Sequence, residues 1–150
     1  MGVFGNALSC GALILFLTAC VPGAAGPGGA GGGGEADGVV GEEALGIRVS
    51  GVRCTAQGHM IDFRYRVVDP ARSRPLLDRS LKPRLIDEAT GVTFTVPNPP
   101  KVGPLRQTTL APEEGRIYFI LFANPGHYLK PGSRVAIALG EHRLEHLVVE

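Results

Sequence analysis

The sequence has no tryptophan, and aromatic residues make up only 6% of it. This removes the buried indole around which antibody-type domains pack, and it leaves no aromatic platform for stacking on bases. Three cysteines, Cys10, Cys20 and Cys54, are scattered, and no two are spaced as CxxC. A disulfide framework, a zinc ribbon and a thioredoxin-type redox motif are thereby excluded. Cys54 alone lies in the charged part of the chain, where a buried small hydrophobe is the expectation. The first 34 residues carry no charged side chain. No apolar run reaches the roughly 20 residues that a spanning helix needs. The hydrolase elbow GxSxG, the zincin pair HExxH and the phosphate loop ending in GK[ST] are also missing. The adjacent carboxylates Asp87-Glu88 and Glu113-Glu114 would point to opposite faces of a strand or stand solvated in a turn. The residues therefore offer no catalytic constellation, and no cofactor is expected.

The chain itself falls into three parts: residues 1–19, 20–43 and 44–150. Leu8 to Val21 is an almost wholly apolar run of 14 residues. That matches the roughly 7–15 residues of a signal-peptide core and is too short to span. Only the α-amine supplies positive charge ahead of it. Pro22 to Gly34 contains only glycine, alanine and proline, and Glu35, Asp37, Glu42 and Glu43 come next. Such a composition cannot bury apolar surface and is expected to act as a tether. Over Val21 to Glu43 it reaches roughly 25–29 Å as a Gly-rich coil.

All 15 basic residues lie at or beyond Arg48, and four of the 14 acidic ones precede Ala44, so the body is near +5. From Leu45 the apolar residues take up a period of two. Ile61, Phe63, Tyr65 and Val67 alternate with Met60, Asp62, Arg64 and Arg66, the pattern of a half-buried strand. Leu45 to Val49, Val92 to Val96, Val135 to Leu139 and His142 to Val149 repeat it. Arg116 to Ala123 is apolar on both faces, which predicts a central strand. Turn signals rich in Gly, Pro, Asn and Asp separate the runs. Pro70 to Leu81, broken by Pro75, is expected to be a loop or a single turn. Seven or eight short strands at this spacing predict an all-β antiparallel sandwich.

The chain carries two resemblances. Leu17-Thr18-Ala19-Cys20, at the end of the apolar run, resembles the lipobox of bacterial lipoprotein precursors. The resemblance implies a diacylglycerol thioether on Cys20, cleavage before it, and a mature chain anchored in the cell envelope. An ordinary cleaved secretory signal and an uncleaved anchor are the other two readings of that run. Val21 after the cysteine, instead of Asp, implies the outer membrane in enteric-type sorting. Leu85 to Gly91 (LIDEATG), Lys101 to Thr108 (KVGPLRQT) and Tyr118 to Gly126 (YFILFANPG) resemble a group of uncharacterised exported bacterial proteins. That resemblance implies no activity and transfers no functional residue. The general shape it implies is similar to immunoglobulin-like or fibronectin-like modules.

The candidate sites are three. Cys54, His59 and Met60 are soft or borderline ligand types close together, which makes a copper site the metal candidate, against a buried thiol and a turn histidine. His142 and His146 on a strand stand about 13 Å apart, too far to share an ion. Arg64, Arg66, Arg72, Arg74, Arg79, Lys82 and Arg84 meet only Asp69 and Asp78 in their stretch. They form a candidate face for an anionic lipid, an acidic glycan or an acidic protein, against a solvated sheet face. Nucleic acid is not an expected partner. The leading expectation is a non-enzymatic, lipid-anchored interaction or accessory module. A soft-metal or small-ligand binding domain is the rival, and an envelope enzyme without a familiar motif is the third.

Overall fold

The computed structural model describes residues 41–150, and Cys10, Cys20 and the tether to residue 40 lie outside them. Among the described residues seven strands form two antiparallel sheets packed as a sandwich. The strands are β1 Ile47–Thr55, β2 Met60–Val67, β3 Arg84–Asp87, β4 Thr93–Thr95, β5 Ile117–Ala123, β6 Arg134–Leu139 and β7 His142–Val148. One sheet has the order β1-β2-β5 and the other β4-β3-β6-β7. The chain changes sheet at β2–β3, β4–β5 and β5–β6, as in immunoglobulin-like sandwiches, with β4 paired to β3.

The core obeys the alternation. Ile61, Phe63, Tyr65 and Val67 of β2 point inward with Tyr118, Ile120 and Phe122 of β5. They meet Leu85, Phe94, Val135, Ile137, Leu139, Leu144 and Leu147 of the other sheet. Phe63, Tyr65 and Tyr118 stack in sequence, with ring centroids 5.4 and 6.1 Å apart. Each fully buried Phe or Leu contributes about 1.5–3 kcal/mol relative to exposure.

Four local outcomes differ from the sequence pattern. Leu45 ends a helical turn, α1 (Glu42–Leu45), and does not open a strand. Gly46, at φ 60°, reverses the chain after that turn, where an added Cβ would stand 2.8 Å from atoms of Asp69 and Arg72. β1 runs on past Val49 to Thr55 through a bulge between Val49 and Gly51. The bulge puts Val49 and Val52 on one face at a spacing of three, which breaks the period and hides the strand. The third difference is β5, apolar on both faces yet last in its sheet. The segment Leu105–Gln107 covers its free edge, with Gln107 N donating to Phe119 O and Leu121 N donating to Leu105 O. That cover, in place of a neighbouring strand, half-buries Phe119 and Leu121 on the outer face. Fourth, β3 (Arg84–Asp87) is too short to show a period.

The stretch from Pro70 makes two successive short turns. A single α turn, α2 (Pro70–Ser73), is followed by a 3-10 turn, Arg74–Leu77. Asp69 caps α2 by accepting from Ala71 N and Arg72 N. Leu76 and Leu77 are buried and close the side of the sandwich.

Candidate functional site

The register of the three-stranded sheet builds its outer face row by row. Arg48, Arg66 and Ile117 stand side by side across β1, β2 and β5. The next row places Gly51, Arg64 and Phe119 together, the third Arg53, Asp62 and Leu121, and the fourth Thr55, Met60 and Ala123. Four arginines thus share one face with a single in-row carboxylate. Arg64 Nε donates to Asp62 Oδ2 at 2.8 Å, and Arg53 Nε pairs with the Glu150 carboxylate at 2.8 Å. Arg66 Nη1 donates to the Gly115 carbonyl. Arg48 has no carboxylate partner among the described residues. Arg48 and Arg66 are directly opposed, an arrangement that like charges disfavour.

The same face is partly apolar. Ile117 is 43% exposed, and Val68, which continues the outer column of β2, is 51% exposed. Asp62 is largely buried beneath its neighbours, and its Oδ1 has no hydrogen-bond partner among the described residues.

The seven basic residues read from the sequence do not form this face together. Arg64 and Arg66 belong to it. Arg72 and Arg74 lie on the turns of the connector, Arg72 paired with Asp69 at 3.4 Å, and Arg79 is exposed in the loop beyond. Lys82 and Arg84 line a shallow depression on the other sheet, with Ser80, Leu81, Ala138 and Gly140. The reason is topological: the stretch passes from β2 of one sheet to β3 of the other, so its ends face opposite sides. Arg48 and Arg53 take the vacated places, and the signal for Arg48 is its alternation with Ile47 and Val49.

The metal candidate is divided in the same way. Cys54 pairs with Ile61 and so faces the core side, where it packs half-buried as a free thiol. Met60 pairs with Thr55 and Ala123 and so faces outward. Among the described residues no three of His, Cys, Asp and Glu come together as a ligand set. His142 and His146 stand at separate places along β7. His146 occupies a bulge at φ 61°, where its N–H donates to Glu88 Oε1 at 2.7 Å. The structure does bring a second histidine to His59. The His127 ring lies 4.2 Å from it, centroid to centroid.

Two further polar clusters are structural. Arg106 is 8% exposed and its guanidinium donates to the carbonyls of Leu76 and Asp78, tying the connector to the edge cover. Burial pushes this guanidinium below its usual range, with Tyr65 and Asp78 opposing. In the turn after β3, Asp87 accepts from Thr90 Oγ1 at 2.6 Å, and Tyr128 donates to the same Thr90 oxygen at 2.9 Å. The Tyr128 ring tilts against Phe94, so this loop tyrosine packs its own loop down.

The described residues contain no helix long and apolar enough to cross a membrane. Compared with known proteins, the chain matches no family model, no curated protein sequence and no solved structure.

Proposed function

We propose that this protein is a lipid-anchored, non-enzymatic interaction module of the bacterial cell envelope, and that the outer face of its three-stranded sheet meets an anionic partner. The observation that carries the second half is the opposed pair Arg48–Arg66, flanked by Arg64 and the exposed side chains of Ile117 and Val68. Like charges placed across a strand pair cost stability. An anion shared between them reverses that sign and turns the cost into affinity. The exposed aliphatic groups beside Arg66 suit a headgroup layer, which accepts guanidinium groups and short apolar contacts together.

The anchoring half rests on the lipobox-like LTAC at Leu17 to Cys20 and on the uncharged Gly-rich chain after it. Several acyl chains on Cys20 make a stable anchor. Val21 after Cys20 favours the outer membrane. At the end of a tether the body needs only weak affinity, because the anchor raises its effective concentration at the surface.

Two measurements test the proposal. Growth with a labelled fatty acid is expected to tag the wild-type chain and spare Cys20→Ser; equal labelling removes the anchor. Sedimentation of the unacylated Cys20→Ser full chain with phosphatidylglycerol vesicles tests the face, because acyl chains alone would carry the wild type into any vesicle. Replacing Arg48, Arg64 and Arg66 together by Gln is expected to weaken binding by roughly two orders of magnitude, at about 1 kcal/mol per arginine. Binding to phosphatidylcholine vesicles is expected to stay unchanged. Equal loss on both lipids, or no loss on either, contradicts the face.

A further inference from the structure

The end of the sandwich opposite α1 carries a pair of imidazoles that the arginine-lined face does not involve. His59 stands just before β2 and His127 in the turn after β5, and both are exposed. Their ring centroids are 4.2 Å apart with the planes inclined at 51°. Neither ring has a hydrogen-bond partner among the described residues, in contrast to the backbone around them. The Asn124 N–H donates to His59 O, and the buried Asn124 amide donates to Gly58 O and Leu129 O while accepting from Leu129 N. One side chain thus bolts the two turns together.

The backbone under the pair is strained. Ala56, Gln57 and His127 have φ values of 50°, 55° and 54°, a region that L side chains rarely adopt. Three of the four such residues in the described chain lie in these two turns, the fourth being His146. Gly58 is bare where a Cβ would stand 2.6 Å from His127 Nδ1, so this glycine is what lets the ring approach. Strain of this kind persists where surrounding structure holds a clamp in place.

We propose that His59 and His127 form a surface site for a borderline divalent metal ion, bound by the two imidazoles and completed by water or a ligand from outside. Two unpartnered imidazoles on a rigid base suit copper(II), nickel(II) or zinc(II), and the Irving–Williams order makes copper(II) the tightest. Each ring needs one nitrogen about 2.0–2.1 Å from the ion. Exposed side chains in contact reach that by rotation about their own bonds. Cys54 takes no part, because it faces the core from β1.

The test is calorimetric titration of the purified full chain, in detergent, with nickel(II), which cysteine thiols do not reduce. A single equivalent is expected to bind, and His59→Gln and His127→Gln are each expected to weaken it by at least about tenfold. His142→Gln with His146→Gln is expected to leave it unchanged. In the wild type the ion is also expected to broaden the ring proton resonances of His59 and His127 together, a readout that needs no variant. Absence of binding, loss in one variant alone, or broadening that spares either ring overturns the site.

Discussion

At the residue scale the structure turns on a few polar groups that inward-facing positions do not normally hold. Asn124 is fully buried, and its side chain makes three hydrogen bonds to backbone. Asn124→Ala leaves Gly58 O and the Leu129 amide groups without partners and is expected to cost about 2–4 kcal/mol in a denaturant melt. Tyr65 is the opposite case. Its ring is buried between Phe63 and Tyr118 and its hydroxyl has no partner among the described residues. Tyr65→Phe is expected to be neutral or stabilising by about 1 kcal/mol, since it removes a desolvated group and little else. Burial, more than the opposing Arg106, pushes this phenol well above its ordinary range. The folded state therefore keeps a proton that the unfolded chain releases near pH 10. That contribution is intact below about pH 10 and falls as the pH rises further, so alkaline unfolding should be shallower in Tyr65→Phe. A pH series of urea midpoints reads this directly. The inward direction of Tyr65 is plain from its alternation with Arg64 and Arg66. Its orphaned hydroxyl is not, because partners depend on which loop crosses the edge.

Elements show where period-two reading succeeds and where it fails. β2 is legible from Ile61, Phe63, Tyr65 and Val67 and β6 from Val135, Ile137 and Leu139, and both lie inside their sheets, although Asp62 and Ala136 between those positions are buried too. β1 is legible only as far as the bulge at Gly51, because an extra residue shifts the face of everything after it. β5 reads as central because both its faces are apolar, yet a strand edge covered by Leu105–Gln107 produces the same pattern. The candidate site has the same limit. Arg64 and Arg66 are legible together because they share a strand, whereas Arg48 and His127 arrive from elsewhere in the chain through pairing and turn contacts. The second bulge, in β7, is held from outside. Glu88, just beyond β3, reaches across β6 to the His146 N–H. Glu88→Ala is expected to cost about 1–2 kcal/mol and to raise amide exchange in β7 while β2 stays protected. Uniform faster exchange in both sheets would show that Glu88 acts on the whole fold instead.

For the molecule as a whole, the division of the chain by composition is the feature that the sequence exposes best. Uncharged residues fill the start, glycine dominates the next stretch, and every basic side chain belongs to the body. The body then distributes its basic groups over both outer faces and the connector between the sheets, which the linear order conceals. On the three-stranded sheet Arg48 and Arg66 stand opposed, with Ile117 and Val68 beside Arg66, and on the four-stranded sheet Lys82 and Arg84 flank a depression. The proposed function depends above all on the first of these faces being the working one. A photoreactive residue placed at position 117, on that face, or at position 93, on the outer face of the other sheet, tests it in growing cells. The expected outcome is an adduct with envelope lipid or an acidic partner from position 117 alone, lost when Arg48 and Arg66 are both changed to Gln. Equal adducts from the two positions, or an adduct at 117 that survives those changes, would contradict it.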